Sequence, residues 1–434
     1  MAVLEPYAKP PTTFAGFLDD LNPTALANAL IGFIFAATGP VAIILTVGSR
    51  GGLDQNQLAS WVFGSFFING LLSIFACWRY RMPLVFFWTI PGTVLVGPAL
   101  THLSFPEVVG AFHATGLLIL LLGFSGWVRR TMSAVPMPIV MGMVAGVFLQ
   151  FGTDWIVSLR TDLAMAGPMT AAFVLLSAVP ALGRRMPPLI GALIVGAIMI
   201  AVGGSAGSVT PTGQWFGGPQ PIMPVFSWQA MLELVLPLAI TVLVVQNGQG
   251  VAVLHAAGHS APINRITVAC GLWSMLAAVV GTSSTCLTGP TNALISSSGR
   301  RESHYAAGVM VGVLALVFGM FSPAFTHVLL ATPPAFIATL AGLAMLRVLQ
   351  AAFGAAFGEG FRLGALITFL ITVSKVSLWN IGAPFWGLVF GFLVSWLLER
   401  SDFTAARAAR EAARAEATPA TTEPVRPTAA SKAG

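Results

Sequence analysis

The sequence predicts an all-α polytopic membrane protein of about 14 transmembrane segments, folded as a seven-plus-seven inverted repeat. Three observations carry that prediction. First, 56% of the 434 residues are hydrophobic and only 8% charged, with mean hydropathy +0.85, whereas soluble domains carry about 25% charge. Second, the basic residues are biased to one side. Lys9, Arg79, Arg81, Arg129, Arg130, Arg184, Arg185, Arg265, Arg300, Arg301, Arg362, Arg400 and five in the tail fall inside, against Arg50 and Arg160 outside; Arg347 and Lys375 fall within spans. That is a positive-inside pattern. Third, one apolar segment in each half is broken near its middle by proline and glycine.

In chain order, residues 1–23 form a cytoplasmic segment. It carries Glu5, Lys9, Asp19 and Asp20 and no apolar h-region, so no cleavable signal peptide is expected. Within it, 11–23 predicts a short amphipathic surface helix with Phe14, Phe17, Leu18 and Leu21 on one face. Spans follow at 24–47 (interrupted at Gly39-Pro40), 58–78, 83–102, 107–128, 136–158, 168–183 and 187–203. Residues 205–227 are uncharged, rich in Gly, Pro and Ser, and read as an external connection. The second half runs through 228–254, 262–281, 280–299, 304–325, 333–353, 361–379 and 383–398. Residues 400–434, rich in Ala, Arg, Thr and Pro, read as a disordered basic cytoplasmic tail.

The two broken segments organise the rest. In 83–102 the break is Pro91-Gly92-Thr93, and in 280–299 it is Gly289-Pro290-Thr291. Proline inside a helix removes a hydrogen bond and costs about 3 kcal/mol. Broken backbone survives at membrane depth only beside protein or a water-filled cavity. After the second break, 291–299 leaves room for about 13 Å of helix, half a bilayer core. Each break is the third segment of a seven-segment half, so the two half-helices run in opposite directions. Interrupted segments at matching positions of two halves point to a binding site, and paired helix N-termini favour an anion. The candidate site is therefore Pro91, Gly92 and Thr93 together with Thr288, Gly289, Pro290, Thr291 and Asn292. Gln246, Asn247 and Gln249 join it as amides on the eighth span, although interhelical hydrogen bonds would satisfy them equally.

These residues resemble the benzoate:proton symporters of the BenE type, within the uracil and xanthine permease-like fold. The resemblance is carried by Ile90-Pro91-Gly92, residues 141–148, residues 246–254, the stretch before Arg300, and Ala341-Gly342-Leu343-Ala344. It implies a core domain of 24–128 and 228–327, a gate domain of 136–204 and 333–399, and substrate held between them against the half-helices. It also implies proton-coupled uptake of benzoate or a similar small aromatic carboxylate across the inner membrane by alternating access. Nucleobase permeases of this fold carry acidic residues in segments eight and ten, where this chain has Gln246, Asn247, Gln249 and Asn292. A nucleobase or other small-anion permease is the alternative.

Proton coupling is the least legible part. The acid substrate brings its own proton, or His113 or Glu233 titrates as carrier; the first is favoured, with Glu233 expected among the headgroups and His113 as a structural histidine. Phe86, Phe87 and Trp88 are candidates to flank an aromatic ligand or to pack the core, and Lys375 and Arg347 to balance a carboxylate or to snorkel. Cys77, Cys270 and Cys286 form no metal or disulfide pattern. No Walker motif or acidic cluster for a metal-bound diphosphate is present, so neither cofactor nor enzyme is expected. The expected partners are a small organic anion, protons and the lipid bilayer, with no nucleic acid; a homodimer is left open.

Overall fold

The computed structural model of the chain describes residues 4–5, 12–128, 136–183, 186–203, 215–297, 299–358, 360–376, 378 and 383–417. Seven helices among these are long and apolar enough to cross a membrane, and six shorter apolar helices accompany them. Their mean composition explains why: apolar on nearly all faces, they bury no polar backbone outside the helix.

The first half opens with α1 (Phe14–Asp20), which Thr13 caps by accepting from the Gly16 amide. Phe17 is buried against Trp78, ring centroids 5.2 Å apart, while Phe14 and Leu18 stay exposed. The expected single apolar face is thus only partly used. Next come α2 (Pro23–Ala37) and α3 (Gly39–Arg50), separated at Thr38 where the Gly39-Pro40 interruption is expected. Then follow α4 (Gln55–Tyr80), β1 (Phe86–Trp88), α5 (Ile90–Ala99), α6 (Phe105–Ser125), α7 (Met137–Thr161), α8 (Leu163–Ala178) and α9 (Pro188–Gly203). The second half contains α10 (Trp228–Ala256), α11 (Ile263–Ala278), β2 (Thr285–Leu287), α12 (Gly289–Ile295), α13 (His304–Met320) and α14 (Ser322–Leu330). It ends with α15 (Pro334–Phe357), α16 (Arg362–Ser374), α17 (Ala383–Leu398) and α18 (Arg400–Ala417).

Packing falls into two groups. In one, α4 lies against α13 and α14, α6 against α11 and the start of α10, and α2 against α12 and α13. In the other, α7 lies against α15 and α16, α16 against α17, and α8 against α9. The groups meet where α3 touches α15 and α5 touches α7. Close approach rests on small residues, as helix packing in lipid requires. A Cβ on Gly271 would lie 2.8 Å from the Gly116 carbonyl, and one on Gly364 would lie 2.8 Å from that of Gly391.

Two departures from the sequence expectation matter. Among the described residues the one sheet is an antiparallel pair, β1 with β2, in which Phe86 faces Leu287, Phe87 faces Cys286 and Trp88 faces Thr285. In addition, 400–417 is a helix rather than an unstructured tail. Its alanine- and arginine-rich sequence favours helix, and Phe403 anchors it edge-on against Phe361 at 4.8 Å. The rest of the expected tail, 418–434, lies outside the described residues, as do Arg129, Arg130, Arg184, Arg185 and 204–214. The described part of the connection, 215–227, runs over the ends of α6, α11 and α13. There Val225 N donates to Pro106 O at 2.9 Å, Ile222 N to Val279 O at 2.8 Å and Gly217 N to Met320 O at 2.9 Å.

Candidate substrate site at two crossed strand-to-helix breaks

Each break is built from the same local parts. The chain runs as a short strand, turns at a threonine and enters a helix with proline at its start. Thr89 caps α5 by accepting from Gly92 N at 3.2 Å, and Thr288 caps α12 by accepting from Thr291 N at 3.3 Å. Proline suits the first helical turn because its missing amide would be unsatisfied there anyway. The strand ladder extends into both caps: Thr89 N donates to Ser284 O at 2.9 Å and Thr288 N to Val85 O at 3.1 Å. Because the strands are antiparallel, the two helices leave opposite ends of the pair and run apart. Their positive ends therefore face the same strand crossing, about 13 Å apart by the rise of four strand residues.

The polar residues two positions past each proline stitch the crossing together. Thr93 Oγ1 lies 2.8 Å from Ser283 Oγ. Asn292 Oδ1 accepts from Val85 N at 3.0 Å, and its Nδ2 donates to Val85 O at 3.0 Å and to Thr288 O. Asn247 Oδ1 accepts from Leu287 N at 2.8 Å and so ties β2 to α10. Thr93, Asn247 and Asn292 all lie at the crossing, and all three are buried and engaged by protein. The amides of Gly92 and Thr291, expected to be open to a ligand, are likewise taken by their threonine caps.

Helix α10 passes both N-termini. A Cβ on Gly92 would meet Thr89 Cγ2 at 2.3 Å, Leu238 at 2.9 Å and Thr241 Oγ1 at 3.2 Å. Seven residues of π-helix follow, from Thr241 to Asn247, a rare geometry that clusters at functional sites. Beyond it, Gln249 packs on Gly289, where a Cβ would lie 2.6 Å from Gln249 Cγ. Gln249 is exposed, Gln246 is 5% exposed, and Pro290 is half-buried while Pro91 is buried. Ser284 Oγ, on the residue directly opposite Thr89, is fully buried with no hydrogen-bond partner among the described residues.

Other candidates lie elsewhere. His113 Nδ1 is 2.9 Å from the Val109 carbonyl one turn back on α6, a structural contact. Glu233, expected among headgroups, is instead 5% exposed, with Oε2 2.8 Å from His102 Nε2. Burial follows because the partner imidazole comes from a segment 131 residues earlier, which α10's own sequence does not reveal. Phe86, Phe87 and Trp88 are all buried in β1, with Trp88 5.1 Å from Phe66 and Phe66 4.5 Å from Phe318, so they pack the core. Lys375 Nζ donates to Gln150 at 2.7 Å and Arg347 to Gln350 at 3.2 Å, both away from the breaks. Helix α12 starts at Gly289 and ends at Ile295, not over 291–299. Serine hydroxyls at its end turn back onto the backbone, Ser296 to Asn292 O at 2.6 Å and Ser297 to Leu294 O at 2.8 Å, and such side chains compete with helix. Thr89 and Thr241 were missed; the Thr-x-Pro spacing shared by Thr89-Ile90-Pro91 and Thr288-Gly289-Pro290 is the signal that finds the first.

Comparison with known proteins meets this geometry at the level of family. The model of the BenE family, described as benzoate membrane transport protein, matches residues 19–397. The chain belongs to that family. It is a multi-pass membrane transporter, 31% identical over 388 residues to inner membrane protein YdcO of Escherichia coli, with 88% of this chain and 94% of that protein covered. It is 29% identical over 385 residues to the benzoate membrane transport protein of Acinetobacter baylyi, covering 87% and 96%. Among solved structures, this BenE-family chain shares its fold with the transmembrane domain of a cyanobacterial bicarbonate transporter, BicA. The TM-score is 0.57 at 15% identity, covering 85% of this chain and 97% of that one. It likewise shares the fold of the murine anion transporter Slc26a9 in the inward-facing state, with TM-score 0.60, 16% identity and coverage of 91% and 73%.

Proposed function

We propose that this chain takes up benzoate or a similar small aromatic carboxylate together with protons, by alternating access. The observation that carries this reading is the pair of capped helix N-termini, α5 and α12, directed at one strand crossing. Two such ends attract a carboxylate without any cation in the site. The name of the Acinetobacter baylyi relative supports benzoate as the anion. We infer about 14 membrane segments in two inverted halves of seven, with α5 and α12 each reaching only part-way through the bilayer. The packing group containing α2 to α6 and α10 to α13 is the core (24–128 and 228–327), and that of α7 to α9 and α15 to α17 the gate (136–204 and 333–399). Residues 205–227 lie outside, and both termini are cytoplasmic.

In this account Pro91, Gly92, Thr93, Thr288, Asn247, Asn292 and the caps shape the crossing, and Gly289, Pro290, Thr291, Gln246 and Gln249 approach the substrate. A nucleobase or another small anion is the second reading; the amides Gln246 and Gln249, standing where nucleobase permeases of this fold carry acidic residues, weigh against the nucleobase. Uptake of labelled benzoate into proteoliposomes, with and without an inward proton gradient, separates the two. The benzoate reading expects accumulation only with the gradient; uptake of uracil that excess benzoate leaves untouched would overturn it.

A further inference from the structure

We propose that the His102–Glu233 pair is the proton site thermodynamically linked to anion binding; this rests on the carboxylate-uptake reading above. Glu233 lies in the π-helical turn Met231–Val235 near the start of α10, and its carboxylate is buried. His102 follows the far end of α5, with Nε2 2.8 Å from Glu233 Oε2 and 22% of its side chain open to water. At the near end of α5, Thr89 Oγ1 donates to Thr241 Oγ1 of α10 at 3.3 Å. Helix α5 is thus tied to α10 at both ends, by a hydroxyl pair beside the candidate anion site and by a titratable pair at the other end.

The charge arithmetic has the sign that symport needs. Histidine is the side chain whose charge ordinarily changes between about pH 5 and 8. With one proton shared, imidazole and carboxylate together are neutral; without it they carry one negative charge. The ten residues of α5 place that charge about 15 Å from the helix N-terminus. At an effective dielectric of about 20, removing it strengthens anion binding about sixfold. By reciprocity, bound anion raises proton affinity by the same factor. Of the surrounding charges, Glu107 on α6 accepts from Ser104 N at 2.8 Å and from its hydroxyl at 2.7 Å and also interacts electrostatically with His102, a standing negative charge beside the pair, while His113 contacts its own helix backbone. At the end of α3, Arg50 pairs with Asp154 of α7 at 2.9 Å, and Arg160 lies further along α7. Helix α17, which also touches α10, has no charged residue.

The test is the benzoate dissociation constant of the full chain in nanodiscs, measured between about pH 5.5 and 8. Wild type should weaken about sixfold as pH rises. His102→Asn should be flat near the wild-type alkaline value, and Glu233→Gln, which removes the standing negative charge, should bind about sixfold more tightly than wild type at the alkaline end. His113→Gln, away from the pair, should keep the wild-type slope. A His102→Asn protein that keeps the sixfold pH dependence, a Glu233→Gln protein that binds no more tightly than wild type at alkaline pH, or a His113→Gln protein that loses the slope, would overturn the pair as the proton site. Absence of benzoate binding by wild type at every pH would instead overturn the carboxylate reading beneath it.

Discussion

The two strand-to-helix breaks share a template but differ in what closes around it. Both have a threonine cap, a proline in the first turn and a polar side chain two residues later that crosses to the other strand. Around the first, the space beside Gly92 is filled by the γ-methyl of Thr89 and by Leu238, with Trp88 and Phe87 sealed in an aromatic core below. Around the second, the space beside Gly289 is filled by the exposed, flexible side chain of Gln249. Rigid packing makes the first break a scaffold. The exposed amide of Gln249 makes the second the break at which we propose that a ligand changes the contacts.

The largest expected effect falls on the stitch that differs most. Asn292→Ala removes three hydrogen bonds and strands the backbone amide of Val85 in a buried site, while the Val85 carbonyl keeps its bond from Thr288 N. It should cost about 3 kcal/mol or more in unfolding, whereas Thr93→Val, losing one hydroxyl contact, should cost about 1 kcal/mol. Equal losses in detergent unfolding would break the asymmetry. Next, Gly92→Ala forces a methyl within 2.3 Å of Thr89 Cγ2 and should cost about 2 kcal/mol through overpacking. Removing the caps should bring the breaks level again: Thr89→Ala and Thr288→Ala each lose about 1 kcal/mol of stability by the same assay. A cap worth far more at one break than the other would show that the shared template is only apparent. Smallest for the fold is Gln249→Ala, which should leave stability within about 0.5 kcal/mol while weakening benzoate binding measured by titration.

Much of this was readable from the chain. Membrane class, the interruption beside Gly39, and the breaks at Pro91 and Pro290 follow from composition and from proline chemistry, which act locally. The strand pair was not readable. Phe86–Trp88 and Thr285–Leu287 are three residues each, too short to show alternation, and their pairing joins positions about 200 residues apart. For the same reason Asn292 was legible as a site residue but not as a clamp on Val85, and Glu233 looked peripheral until His102 stood beside it. The end of α12 was missed because the serines after Ile295 bond the backbone instead of extending the helix. What distance in sequence hides is partnership; what a residue does alone is visible.

The central claim is that a carboxylate binds at the second break, where packing is movable. Gly289→Val tests it most directly, since its Cβ would lie 2.6 Å from Gln249 Cγ and so displaces that side chain. Benzoate binding to purified protein should fall at least about tenfold, a loss of about 1.4 kcal/mol, with an unchanged unfolding midpoint. Binding within about twofold of wild type in a protein of normal stability would contradict the account.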